Sequence, residues 1–151
     1  MKKINKKGFT LIEILVVIGI IAILAAVVLV AINPSRQFKQ ASDSQRTANV
    51  NAILNAIGQY SVDNKGAIPA GIPVAPAVAI EITQAICNLL VPTYLPALPT
   101  DPKSTANGSS IQCAAVAANA VKYQVQQDTL GRVTVSAPET ELAATVISVT
   151  R

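Results

Sequence analysis

The feature that most constrains this chain is an apolar run near its N-terminus. Residues 9–32 contain one charged side chain, Glu13, among 24 residues. About 20 apolar residues in a helix are enough to cross the hydrocarbon core of a bilayer. The run therefore predicts a single transmembrane helix.

The charges that flank this run predict its orientation. Four lysines precede it, namely Lys2, Lys3, Lys6 and Lys7. The positive-inside rule then places residues 1–8 in the cytoplasm and the body of the chain outside. A secretory signal has a shorter apolar region followed by a small-residue cleavage site. Ala25 and Ala26 could imitate such a site, but the run continues to Asn33, so we favour a retained helix.

The basic net charge of the chain does not predict a nucleic-acid partner. The formal net charge is +4, yet four of the twelve basic residues lie within the first eight positions. The rest of the chain holds eight basic and eight acidic residues and is formally neutral. Because no basic face is indicated, we predict no specific nucleic-acid binding.

A carboxylate inside the apolar run needs an explanation. In a membrane helix it costs about 3 kcal/mol on insertion scales, and such carboxylates usually have a partner. No basic residue lies between positions 8 and 35. Cleavage between Gly8 and Phe9 would create an α-amine four residues before Glu13, on the same helix face. Alternatively, Glu13 lies near the membrane end and extends towards the headgroups; the residues alone leave both explanations open.

The residues around this position resemble a known processing signal. The sequence KKGFTLIE at residues 6–13, followed by the apolar run, is similar to the class III signal of type IV pilins and type II secretion pseudopilins. The resemblance implies that a membrane prepilin peptidase cuts after Gly8 and that Phe9 becomes the N-methylated first residue. It also implies that Glu13 pairs with the N-terminus of a neighbouring subunit during assembly.

The segment after the run predicts a continuing helix. Residues 34–65 are mainly polar, and from Ile53 their apolar residues follow helical spacing. We predict one long helix over about residues 10–64, bent at Pro34, which removes a hydrogen bond and clashes with the preceding turn. Gly66 suits a left-handed helix end.

Proline-rich loops interrupt the remainder of the chain. They cover residues 66–76 and 92–102, where prolines exclude helix interiors and central strands. Between them, residues 77–91 have the spacing of a short amphipathic helix. Residues 103–110 predict an exposed loop. Residues 111–120 are ambiguous, because their alanines favour helix while the family resemblance favours loop or strand.

The end of the chain predicts an antiparallel sheet. Apolar residues alternate over 121–125 and 133–135 on either side of a turn at 128–131, which indicates a hairpin. Residues 145–150 predict a third strand. The fold class is therefore α+β, with a long N-terminal helix packed on a small antiparallel β-sheet head, as the pilin resemblance also implies.

The sequence contains no recognisable catalytic site. It lacks histidine, which excludes a histidine-based triad and His-ligated zinc. No phosphate-binding glycine motif or cluster of metal ligands occurs. We therefore predict a protein that is not an enzyme and has no catalytic residue, cofactor or metal.

The acidic residues of the predicted head are interpreted as structural or solvated. Asp101 and Asp128 lie in loops where major pseudopilins often carry calcium, but two isolated aspartates predict exposed, solvated carboxylates instead. Asp43 and Arg46 have the spacing of an i,i+3 pair worth a few tenths of a kcal/mol.

The two cysteines are both in the part predicted to be exported. Cysteines in oxidising compartments tend to be paired. A Cys87–Cys113 disulfide would close a loop of about 26 residues and stabilise the head by roughly 3.5 kcal/mol on the chain-entropy model. The alternative is that one cysteine is a buried free thiol and the other is unrelated to it.

The resulting expectation is a structural subunit of a type IV pilus-like surface filament, or fimbrium. Its expected parts are a cleaved leader (1–8), a transmembrane and filament-core helix (9–33), an amphipathic helical half (34–65) and a globular head (66–151). Expected partners are further copies of the chain, other pilins, prepilin peptidase, an inner-membrane assembly platform and the lipid bilayer. The expected location is the cytoplasmic membrane, then an extracellular or periplasmic filament serving adhesion, motility, DNA uptake or secretion. Alternatives are a secretion pseudopilin of a short periplasmic fibre and an anchored binding domain that never polymerises.

Overall fold

The computed structural model describes residues 8–151, so the predicted leader lies outside the described residues except for Gly8. The chain divides into two compact units, an N-terminal unit that ends at Phe38 and a second unit over Lys39–Arg151. We call the second unit the head.

The N-terminal unit contains the predicted apolar helix. Helix α1 spans Leu11–Ile32 and has no buried residue. Among residues 8–151 it is the one helix long and apolar enough to cross a membrane. It has apolar side chains on all sides, which is the pattern of a helix surrounded by lipid or by other apolar chains.

A break separates α1 from the next helix, α2, which spans Pro34–Asp63. Asn33 lies between them in the left-handed conformation, with φ 47°. Its backbone and side-chain oxygens both accept a hydrogen bond from the backbone N–H of Arg36, at 3.0 and 3.3 Å. The prediction of one continuous bent helix was therefore wrong. Proline is favoured in the first turn of a helix, where its missing N–H is not needed.

The head consists of part of α2, a four-stranded sheet and one short helix. In chain order the further elements are β1 (Ile80–Glu81), α3 (Gln84–Leu90), a 3-10 turn (Cys113–Ala115), β2 (Gln124–Gln127), β3 (Val133–Ala137) and β4 (Ile147–Thr150). The sheet is antiparallel throughout, in the order β1-β2-β3-β4. The α+β architecture and the hairpin predicted from alternation are confirmed.

The core of the head lies between α2, α3 and one face of the sheet. Val125 pairs with Val135, which pairs with Val149, so these valines share a face. The buried apolar residues of α2 are Val50, Ile53, Leu54, Ala56 and Ile57. Burying each large aliphatic side chain contributes about 1.5–3 kcal/mol, so this core is the main source of the head's stability.

The helix predicted over residues 77–91 is shorter than expected. Ile80 pairs with Val125 and Glu81 with Gln124, which adds β1 to the sheet. The Glu81 carboxylate accepts hydrogen bonds from the backbone N–H groups of Asn119, Val121 and Lys122 at 2.8–3.1 Å. These long-range bonds hold residues 80–81 extended, and α3 begins only after Thr83.

Candidate assembly site

The predicted processing site lies just before α1. Gly8 and Phe9 are exposed and belong to no helix or strand, and the Phe9 side chain is 85% exposed. A Cβ placed on Gly8 would meet no atom within 4 Å. The described chain therefore gives no internal steric reason for glycine at this position.

Thr10 and Glu13 together form the start of α1. The Glu13 carboxylate accepts hydrogen bonds from the Thr10 backbone N–H and hydroxyl, both at 2.7 Å. The Thr10 hydroxyl in turn accepts one from the Glu13 backbone N–H at 3.3 Å. This reciprocal arrangement is a capping box, which satisfies donors that the first helical turn would otherwise leave free.

The capping box gives Glu13 a partner that the sequence analysis missed. The residues alone suggested an α-amine or the lipid headgroups as partners for this carboxylate. The signal was present as Thr10-x-x-Glu13 immediately before an apolar run. Glu13 thus lies at the positive end of the helix dipole, where a carboxylate is favoured.

A buried ion cluster lies within the head. The Arg46 side chain is fully buried, and its guanidinium donates two hydrogen bonds to the equally buried Asp101, at 2.7 and 3.0 Å. It also contacts Asp43 at 2.8 Å and Glu141 at 3.2 Å. We call these four residues the Arg46 cluster; they join α2 to two loops distant in sequence.

Further hydrogen bonds fix the acidic members of the cluster. The Asp43 carboxylate accepts from the backbone N–H groups of Glu141 and Leu142, at 3.0 and 2.8 Å. Lys103 contacts Glu141 at 3.3 Å. Among the described residues, no buried side-chain nitrogen or oxygen lacks a hydrogen-bond partner.

The contacts shift the pKa values of the cluster. Burial raises the pKa of the Asp43 carboxyl, but the two backbone N–H groups and Arg46 outweigh it, so the net shift is downward. Glu141 follows the same pattern, because Arg46 and Lys103 lower its pKa more than burial raises it. For Arg46, burial lowers the pKa, yet its hydrogen bonds to three carboxylates raise it overall. All of these groups are held in their charged forms.

The exposed, solvated carboxylate predicted for Asp101 was wrong. Asp101 is buried because it pairs with Arg46, and the predicted i,i+3 pair of Asp43 and Arg46 is only one part of this larger cluster. Asp128 instead closes the β2–β3 turn, where it accepts hydrogen bonds from the backbone N–H groups of Leu130 and Arg132. Among residues 8–151, no group of three His, Cys, Asp or Glu side chains is placed to hold a metal ion.

The structure joins Cys87 and Cys113 in a disulfide, with Cα atoms 5.5 Å apart. Cys87 lies in α3 and Cys113 begins the 3-10 turn, and both are buried. The bond thus links two segments that the sheet does not hold directly.

The comparisons with known proteins agree with this N-terminal arrangement. Residues 3–29 match the family described as the prokaryotic N-terminal methylation motif. The class that this match supports is therefore proteins with a prokaryotic N-terminal methylation motif.

One characterised relative gives a more particular likeness. The chain is 48% identical over 60 residues to the type IV wide pilus major component PilA4 of Thermus thermophilus. The match covers 40% of this chain and 44% of that protein, so the chain spans less than half the length of the relative. No solved structure matches the chain significantly. The two matches confirm the resemblance to the type IV pilin family.

Proposed function

We propose that this protein is the structural subunit of a type IV pilus-like filament that polymerises through α1. The observation that carries the proposal is that α1 has one charged side chain, Glu13, among its 22 residues, and that none of the 22 is buried within residues 8–151. Burial of apolar surface is favourable by about 25 cal/mol per Å². Lipid covers the apolar surface of this helix before assembly, and the helices of other subunits cover it in the filament core. Such a role is structural rather than enzymatic.

The proposal includes processing at the N-terminus. Prepilin peptidase would cut between Gly8 and Phe9 and leave Phe9 as the methylated first residue. Both residues are exposed and outside α1, so a protease can reach the peptide bond without unfolding a helix. The open space around Gly8 fits a glycine selected for recognition by another protein.

Glu13 would then act in assembly. After cleavage, the new α-amine of Phe9 lies four residues before Glu13, within reach of its own or a neighbouring carboxylate. An unpaired carboxylate in an apolar filament core would be strongly unfavourable, so pairing would set the register of the subunits. Before the carboxylate pairs with an α-amine, the hydrogen bonds from Thr10 would hold it at the start of α1.

The remaining proposals concern location and partners. The subunit would await assembly in the cytoplasmic membrane with its N-terminus inside and its head outside. An inner-membrane assembly platform would extract it into an extracellular or periplasmic filament with other pilins. Residues 1–8 would be the leader, 9–33 the membrane and filament-core segment, 34–65 the second helical half and 66–151 the bulk of the head.

Intact mass and N-terminal sequencing of the protein purified from its native membrane test the processing step. We expect a chain that begins at Phe9 and carries one additional methyl group. A chain that still begins at Met1 would contradict the proposal and favour an anchored protein that does not polymerise. A processed chain found only in short periplasmic fibres would instead indicate a secretion pseudopilin.

Substitution of Glu13 tests the assembly step. We expect Glu13→Val to insert into the membrane normally but to reduce the yield of sheared filaments by about tenfold or more. Glu13→Gln is the matched control for shape, since it keeps the length of the side chain and removes its charge; we expect a similar loss. Normal filament yield from both variants would overturn the assigned role.

A further inference from the structure

A short segment of the N-terminal unit follows α1 directly and differs from it in composition. Residues 33–38 contain one basic residue, Arg36, one aromatic residue, Phe38, and no acidic residue. All of them are exposed, and the Phe38 side chain is 74% accessible. We call residues 33–38 the juxtamembrane segment; its cation and its aromatic ring are both free to contact something outside the N-terminal unit.

The length of α1 determines where this segment lies when the helix crosses a bilayer. The 22 residues of α1 extend over about 33 Å at 1.5 Å per residue, and the hydrocarbon core is about 30 Å thick. The helix therefore ends at the surface of the core. Arg36 follows Ile32 by four residues, so their Cα atoms are at most about 11 Å apart. The headgroup layer extends about 5–8 Å beyond the core, which a long side chain from this segment can reach.

The Arg36 side chain has no counter-charge close to it in the sequence or in the described structure. Between Glu13 and Asp43 the charged residues are Arg36 and Lys39, both basic. The ion pairs formed among residues 8–151 all lie in the head, and none includes Arg36. A guanidinium presents a planar fork of donors that matches the oxygens of a phosphate. In the headgroup layer, the complementary charge is therefore the phosphate of an anionic lipid.

The position of Phe38 favours lipid over a protein partner. The chain has two phenylalanines, Phe9 and Phe38, and they flank α1 on either side. In helices that lie at a membrane surface, aromatic side chains enter the boundary between headgroups and acyl chains. Arg36 and Phe38 are two positions apart in α2, so they face in different directions. Lipid surrounds the segment and can contact both side chains, whereas a protein docked on one helix face would contact one of them.

We propose that the juxtamembrane segment binds the headgroups of anionic phospholipids at the external surface of the membrane. The inference rests on the proposed function, because it concerns the subunit that awaits assembly in the bilayer. The Arg36 guanidinium binds a headgroup phosphate, and the Phe38 ring inserts among the upper parts of the acyl chains. Together they fix the depth of α1, which keeps its first turn, with Glu13, at the opposite surface of the membrane.

Tryptophan fluorescence tests this contact, because the chain contains no tryptophan of its own. Phe38→Trp places a probe in the segment of the full-length chain, reconstituted into bilayers of phosphatidylcholine and phosphatidylglycerol. Brominated forms of each lipid quench a tryptophan that they contact, so the two quenching curves give the relative association of the lipids at residue 38. We expect a preference of about fivefold for phosphatidylglycerol, the anionic lipid.

Variants of Arg36 in the Phe38→Trp chain identify the group that binds the headgroup. Arg36→Gln should lower the preference about fivefold, so that both lipids quench equally. Arg36→Lys keeps the positive charge and should retain most of the preference. Arg132→Gln is the matched control, because it removes an exposed arginine of the head and should leave the preference unchanged. Equal quenching by the two lipids before any change at Arg36, or a preference that survives Arg36→Gln, would overturn the headgroup site.

Two further probes separate this inference from the proposed function. Ile21→Trp lies in the middle of α1, and Val62→Trp lies at an exposed position of the head. We expect both brominated lipids to quench the first probe and neither to quench the second. Quenching of Ile21→Trp without quenching of Phe38→Trp would overturn the headgroup site and leave the membrane-spanning helix. Absence of quenching for Ile21→Trp would overturn the membrane-embedded state on which the proposed function depends.

Discussion

Helix α1 and the head differ in whether their apolar residues are buried: those of α1 are exposed, whereas those of the head form a core. In α1 every residue is accessible, including the large aliphatic side chains along its whole length. In the head, α2, α3 and the sheet enclose a core in which many side chains have no exposed surface at all. The head also contains an ion cluster and a disulfide that lie within the same chain.

This difference shows that one chain can contain one region that buries its own apolar residues and another region that does not. The head has internal partners for its buried apolar and polar groups, so its stability is a property of the single subunit. Among residues 8–151 the apolar surface of α1 has no such partners, so its stability depends on lipid or on other chains. Substitutions in the two regions should consequently be detected by different measurements.

The largest effect on the head is expected from loss of the Arg46 side chain. Arg46→Ala leaves the buried Asp101 side chain without its Arg46 partner, and breaking a buried pair in this way typically costs about 3–5 kcal/mol. Arg132→Ala, which removes an exposed pair with Asp128, should cost less than about 1 kcal/mol. Urea unfolding of the solubilised full-length chain measures both.

The same two variants, Arg46→Ala and Arg132→Ala, test whether the stability of the head is independent of the membrane insertion of α1. The membrane insertion of Arg46→Ala should equal that of the wild type, because the cluster lies entirely in the head. A change in unfolding free energy of similar size for both arginine variants would mean that burial of the cluster contributes little.

A smaller loss of unfolding free energy is expected for the head at acidic pH. The native pKa values of Asp43 and Glu141 lie below their ordinary values of 3.8 and 4.5. Their contribution is therefore complete above about pH 5 and is lost as the pH falls through the lowered native pKa values. With no histidine in the chain, no side chain of that type titrates near neutrality, so stability should be nearly constant between about pH 5 and 8.

Measurement of unfolding free energy against pH tests this expectation. The double variant Asp43→Asn, Glu141→Gln should be less stable at pH 7 and should show a shallower loss between about pH 5 and 2. If the variant and the wild type lost stability in parallel over that range, the cluster would not be the origin of the acid sensitivity.

The smallest effect is expected at the start of α1. Thr10→Val removes the hydroxyl of the capping box, which is worth about 1 kcal/mol. We expect amide exchange in the first turn of α1 to become about fivefold faster in lipid bicelles, with the unfolding of the head unchanged. Thr10→Ser keeps the hydroxyl and should exchange at the wild-type rate; equal exchange in all three chains would contradict a role for the capping box.

The sequence predicted correctly those elements whose structure depends on residues close together along the chain. The length of the apolar run predicted α1, and alternating valines around a polar turn predicted the β2–β3 hairpin. Both patterns are visible within about 25 residues. The motif at residues 6–13 was equally local, which is why its resemblance to a known family could be recognised from the residues alone.

The errors occurred where contacts join distant residues. Arg46 is separated from Asp101 by 55 positions and from Glu141 by 95, and no local pattern pairs them. For the same reason Ile80 and Glu81 were assigned to a helix, although their strand partners lie more than 40 residues away. Asn33 was missed for a different reason, because Pro34 was interpreted as bending a helix that in fact ends at Ile32, two residues earlier.

The disulfide between Cys87 and Cys113 bears on how the export of a subunit can be followed. Disulfides form readily in oxidising compartments and are rare in the cytosol. With the head outside the cytoplasmic membrane, as proposed, this covalent bond forms only after the head has been translocated. The oxidation state of the cysteine pair therefore records whether an individual subunit has been exported, independently of whether its leader has been removed.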